Sequence, residues 1–259
     1  MKKTQYFKGL VAAIVTALLI ALIGPSAISA NTLEPNDVAT ALNLDPVSDK
    51  ETLEYLENVD MRVIQDNKNV RIVESTENGK TTIAVLNKKK NTLTFQVKGD
   101  KSTKQEIDLN ELAELEASLD SSDDLFSIAA STLKEDTFSN YEYTITFTSP
   151  ESWQLRRPNP DNVFKYYYKN VKKTSTNKDN LAAFKKAVDN LNYYEWMYLG
   201  SSGGVAIMTV VTLIVAAMSG GAGIAALLFT AGVTGAAYTY ALKMSGAANN
   251  AHYYYFQVR

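Results

Sequence analysis

Residues 196–242 contain no charged side chain. A stretch this long and apolar has two stable destinations, the interior of its own fold or a lipid bilayer, because left in water it drives aggregation. It divides into arms 204–218 and 222–242, joined by Ser219-Gly220-Gly221. As helices rising 1.5 Å per residue, the arms reach roughly 22 Å and 31 Å, against a hydrocarbon layer of about 30 Å. The second is long enough to span; the first becomes so if residues 201–203 extend it or the bilayer thins. Nine of the 13 glycines lie between Gly200 and Gly246. Small residues also recur four apart, as Ala217 with Gly221 and Ala231 with Gly235. That spacing lets helix backbones approach closely where no hydrophobic effect pushes them together. The pattern predicts a helical hairpin over 200–246 that enters membranes. Its lipid-facing residues are Ile207, Val211, Leu213, Leu227, Phe229 and Tyr238, and its helix-packing residues are Ala217, Gly221, Ala231 and Gly235. Burial inside a soluble fold is the competing arrangement. The two agree if the soluble form hides the hairpin against a tyrosine-rich helix and releases it at a target bilayer.

Just before the hairpin, residues 151–199 are basic and aromatic, with nine basic against five acidic side chains. Tyr166, Tyr167 and Tyr168 sit between Lys165 and Lys169, after Trp153, Arg156 and Arg157. Asp179 is then placed to cap a helix whose stripe is Leu181, Phe184, Val188, Leu191, Tyr194 and Tyr198, with Lys178, Lys185, Lys186 and Asp189 largely off it. Amphipathic rings favour the boundary between headgroups and hydrocarbon, and lysines favour anionic lipid. Tyr166, Tyr167, Tyr168, Tyr193, Tyr194, Trp196 and Tyr198 are therefore candidate membrane contacts. An ordinary aromatic core is the rival explanation. Stacking on nucleic acid fits a secreted, net-acidic chain poorly.

Residues 31–150 hold 12 basic and 23 acidic side chains. Short helical patterns run through 36–58, broken at Asp45-Pro46. Alternating runs at 61–64, 70–73, 82–86 and 93–97 predict an antiparallel β-meander with Asn78-Gly79 in a turn. Leu109, Leu112, Leu115 and Leu119 mark an amphipathic helix, 124–133 a further helix and 141–147 a strand. The fold class is therefore α+β: an antiparallel β-meander with amphipathic helices, followed by a glycine-rich hydrophobic helical hairpin. The tail, 247–259, reads as a final strand or an interfacial anchor for the second arm.

Residues 1–30 have the layout of a secretory signal: Lys2, Lys3 and Lys8, an apolar run, then small residues ending at Ala30. Removing them takes away three of 26 basic residues, leaving a net charge of -5 against 28 acidic ones. The chain has no cysteine and one histidine, His252, which argues against cysteine nucleophiles, Cys-rich zinc sites and imidazole metal clusters. Gly200-Ser201-Ser202-Gly203-Gly204 matches a nucleophile elbow, yet no carboxylate follows Glu195 and the order Ser, acid, His has no acid to complete it. Asp120, Asp123 and Asp124 lack the Asp/Asn ladder and central glycine of a calcium loop. No enzyme activity and no cofactor are expected.

An exported cysteine-free chain with a polar β-rich front, a glycine-rich hydrophobic hairpin at 204–242 and a short aromatic tail resembles the large secreted bacteriocins of Gram-positive bacteria, in particular the large geobacillin type of unmodified protein bacteriocin. The resemblance covers most of the mature chain in layout and carries over no catalytic residue. It implies an antagonistic protein that acts on competing bacteria, with anionic bacterial lipid as its partner. A receptor and an immunity protein are further partners of that kind of protein that the sequence does not identify. An envelope protein moored by the hairpin, with 31–199 as an extracellular binding module, is the alternative.

Overall fold

The computed structural model describes residues 31–32, 40–45, 48–119, 132–160, 162–201 and 205–259. The leader and most of the helix expected over 124–133 lie outside them.

Alternation of apolar and polar residues builds the first half. β1 (Asn31–Thr32), β2 (Asp60–Asp66), β3 (Val70–Glu77), β4 (Lys80–Asn87), β5 (Thr92–Val97) and β6 (Asp100–Asp108) pair antiparallel in sequence order, as the expected meander. Asn78 and Gly79 both have positive φ, 52° and 74°, which the two-residue turn between β3 and β4 requires. Met61, Val63, Val73, Ala84, Leu86, Leu93, Phe95 and Ile107 are buried on one face. On the other face Glu74 lies between Arg62 and Lys98, which hold its carboxyl below the usual range. β6 was not expected, because Ile107 is the single apolar residue in its Asp-Lys-Ser-Thr-Lys-Gln-Glu-Ile-Asp run.

A second antiparallel sheet has the order β10-β9-β8-β7. Its strands are β7 (Thr132–Glu135), β8 (Glu142–Thr146), β9 (Ser152–Asn159) and β10 (Asn162–Lys172). The strand expected at 141–147 is β8. Leu133, assigned to a helix end, is in β7 instead, paired with Ile145. The first half of the basic region is a hairpin, because Leu155 and Trp153 alternate into the core while Arg156 and Gln154 face out.

The helices are α1 (Lys50–Leu56), α2 (Leu109–Leu119), α3 (Lys178–Gly200), α4 (Ile207–Gly220), α5 (Ile224–Ala231) and α6 (Gly235–Gln257). In α3, Leu181, Phe184, Val188, Leu191 and Tyr198 are buried as the stripe demands, and Tyr194 is half-buried. The cap position is Asn177, not Asp179; Asp179 occupies the first turn, where its charge suits the positive helix end.

The apolar segment departs from the expected two-armed hairpin. Its second arm is not one helix. Gly232, at φ +93°, ends α5: its N–H donates to the Phe229 carbonyl (3.1 Å) and the Val233 N–H to the Leu228 carbonyl (3.0 Å). These paired bonds close a helix only where a left-handed residue is available. Among the described residues no helix is long and apolar enough to cross a membrane. The tail is not a strand: it forms the last turns of α6. The expected hiding place against the tyrosine-rich helix holds mainly for α6, which runs beside α3, and to a small extent for α4. Helix α5 lies instead on β3, β4 and β5, and α4 lies against α2.

Candidate functional site

Two polar features hold the apolar helices in place. Gly223, between α4 and α5, donates its N–H to the Thr82 hydroxyl of β4 at 2.7 Å. On α6 the buried Thr239 hydroxyl donates to Asp49 Oδ1 (2.7 Å) and receives a bond from Thr52 of α1 (2.9 Å). Beside this chain lies a cavity of about 300 Å³ lined by Glu51, Tyr55, Glu77, Lys243, Ser245 and Asn249, among others. The Tyr55 hydroxyl donates to Glu77, and burial together with that carboxylate raises the tyrosine's pKa. Lys243 pairs with Glu51 at 3.0 Å across the rim.

The predicted contact residues divide sharply. Ile207, Val211, Leu213, Leu227, Phe229, Tyr238 and Tyr198 are buried. The Tyr238 hydroxyl donates to the Ala225 carbonyl at 3.1 Å, tying α6 to α5. Tyr166, Tyr167, Tyr168, Tyr193 and Trp196 are exposed, and Tyr194 is half-buried. The packing pairs do not form the expected stripe, because each straddles a helix end. Gly221 is the left-handed cap of α4, donating to the Ala217 carbonyl at 2.8 Å. Ala231 and Gly235 lie on either side of the Gly232 break, and the Gly235 N–H donates to the Leu42 carbonyl at 2.6 Å.

Nor do the exposed rings form one belt. Tyr193 and Trp196 lie on α3 with Trp196 edge-on to Phe138, 6.0 Å between ring centres. Phe184, six residues on from the helix start at Lys178, meets Tyr255 of α6. Twelve residues of helix separate Phe184 from Trp196, roughly 18 Å at 1.5 Å per residue. The tyrosine triplet is split as well. Strand β10 is an edge strand, so successive side chains leave opposite faces. Tyr166 and Tyr168 pack edge-on at 5.0 Å on the outer face, where the Arg156 guanidinium lies 4.5 Å from the Tyr166 ring centre. Arg156 is also bonded to Glu142.

Tyr167 turns to the opposite face and forms a cationic corner with β9 and α6. The Arg157 guanidinium stands 4.4 Å from the Tyr167 ring centre, 5.0 Å from Phe256 and 5.5 Å from Tyr255. Lys169 lies 4.4 Å from the Tyr255 ring centre and donates to the carbonyls of Tyr255 (2.6 Å) and Val258 (3.0 Å), closing the end of α6. His252 stacks edge-on with Phe256 at 5.0 Å, and its Nδ1 is 3.1 Å from the Tyr141 hydroxyl. Burial, then the charge of Arg157, holds both Lys169 and His252 below their usual pKa values. Burial raises that of Tyr255, opposed by Arg157. Arg157 and Lys169 were legible as part of a basic stretch. Their meeting with Tyr255 and Phe256 was not, because nothing local links residues 157 and 256.

Among the described residues no three His, Asp or Glu side chains gather as a metal site. What the corner can do is hold an anion and lie against an interface. Comparison of the chain with protein-family models, with curated proteins and with solved structures finds no match.

Proposed function

We propose that the protein is a secreted antibacterial, bacteriocin-like protein that acts on target-cell membranes by inserting its apolar helices. The observation that carries this reading is the way the uncharged segment is stored. It is folded as short helices, α5 over one face of the meander, α4 against α2 and α6 beside α3, whose joints are Gly221 and the Gly232–Thr234 break. Opening at those joints frees two apolar arms without unravelling either sheet. The enclosure of α4 and α5 favours a stored hairpin over a permanent mooring. Exposed tyrosines, Trp196 and the cationic corner supply the first contact with an anionic bilayer.

The absence of cysteine makes a clean test available. The Thr52 and Thr239 hydroxyls lie 2.9 Å apart, so a Thr52→Cys, Thr239→Cys pair is placed to close a disulfide across the α1–α6 contact. Reduced protein is expected to release dye from phosphatidylglycerol vesicles and to kill an indicator strain; oxidised protein is expected to do neither. Equal release by both forms removes the need for α6 to leave α1, and no release by either the reduced or the unmodified protein overturns the reading.

A further inference from the structure

The cationic corner has an electrostatic imbalance inside an acidic protein. Arg157, Lys169 and His252 converge on Tyr255 and Phe256, and among the described residues none of the three has a carboxylate within 4.0 Å. Tyr141 and Tyr167 are the other titratable groups facing them, from the chain before β8 and from β10. The ionic influence felt by Lys169 and by His252 is repulsion from Arg157. Arg157 also keeps donors in hand. One terminal N–H goes to the Pro158 carbonyl at 3.1 Å and the guanidinium also bonds the Tyr255 hydroxyl, while Nε is buried and has no hydrogen-bond partner. A guanidinium in this state, lying against ring faces and with a donor unmet, can offer charge-assisted N–H bonds to an oxyanion.

We propose that this corner is a binding site for a phosphate-bearing group, with Arg157 as the principal donor, Lys169 as the second cation and the rings of Tyr167 and Phe256 as its walls. The proposal rests on the membrane reading for its biological source, a phosphodiester in a lipid headgroup. The site chemistry is the same for a free phosphate.

His252 is the only histidine in the chain, so its imidazole proton resonances give one unambiguous titration curve. Inorganic phosphate and, separately, sn-glycerol 3-phosphate are expected to raise the His252 pKa saturably by roughly half a unit or more, as an anion offsets the Arg157 charge. Arg157→Gln is expected to raise the pKa in the absence of phosphate and to abolish the response; Arg157→Lys, which keeps the charge but loses the several guanidinium donors, is expected to retain a weaker one. Vesicles of phosphatidylglycerol should reproduce the response and vesicles of phosphatidylcholine should not. A response to free phosphate alone assigns the site to a soluble ligand and removes the headgroup as its source. An unchanged His252 pKa at saturating phosphate, or the same response in Arg157→Gln, overturns the site. Dye release without a His252 response leaves the membrane reading standing and the site refuted; a His252 response without dye release does the reverse.

Discussion

Replacing Glu195 by glutamine is expected to flatten the pH dependence of stability between about pH 4.5 and 7. The carboxylate is fully enclosed on α3 and accepts bonds from the N–H groups of Phe138 (2.8 Å) and Ser139 (2.9 Å) and from the Ser139 hydroxyl (2.5 Å). Those bonds favour the charged form, but burial outweighs them and pushes the pKa up from 4.5 to about 7. Below 4.5 the group is protonated in both the folded and the unfolded chain, and its contribution to stability is fully present. As pH rises toward 7 the unfolded chain releases the proton first, and the contribution is lost through the folded pKa. At 1.36 kcal/mol per unit the whole loss is about 3 kcal/mol. Glutamine carries no charge and removes this slope. Its oxygen still accepts from Ser139, but its amide faces the Phe138 N–H, at a cost of about 1–3 kcal/mol independent of pH. Glu195→Gln should therefore be the less stable protein at pH 4.5 and lose that disadvantage by pH 8. Urea unfolding of both proteins, followed by the emission of the neighbouring Trp196, measures the difference at each pH. Because every other titrating group is common to the two proteins, a difference that stays constant across the range refutes the reasoning.

Three further substitutions test how the apolar segment is held. Leu228→Ala, at a fully buried position on α5, is expected to cost about 2–5 kcal/mol, read as a fall in the urea midpoint with an unchanged slope. Gly232→Ala meets no atom within 4 Å, so its cost is the left-handed backbone alone, about 1–2 kcal/mol; a neutral result in the same assay would mean that the joint relaxes. Tyr238→Phe removes the side-chain bond that ties α6 to the Ala225 carbonyl of α5 and is expected to cost about 1 kcal/mol by thermal unfolding.

The meander was legible because its strands are half-buried and therefore alternate, and because Asn78-Gly79 is a turn signal with a steric cause. Helix α3 was legible for the same kind of reason, one buried stripe at helical period. Strand β6 was hidden because an edge strand facing water needs little apolar patterning, and β9 and β10 were hidden because their ring and guanidinium contacts replace aliphatic alternation. The apolar segment and its joint at Ser219-Gly220-Gly221 were located correctly, but the second break at Gly232 was not. Residue type alone does not distinguish Gly232, which ends a helix, from Gly246, which lies inside one. The cationic corner was out of reach, since strand pairing and the return of α6 past α3 bring residues 157, 169 and 256 together. No local window contains all of them.

The central claim is that α5 leaves the meander for lipid, and a single fluorophore on that helix tests it most directly. Phe229→Trp, made with Trp153 and Trp196 both changed to phenylalanine, leaves one indole in the chain at a position that is buried in the stored form. Mixed with phosphatidylglycerol vesicles whose acyl chains carry bromine, this protein is expected to lose its emission by quenching within the hydrocarbon. Undiminished emission from protein that has sedimented with those vesicles would place α5 on the sheet still, and would contradict the account.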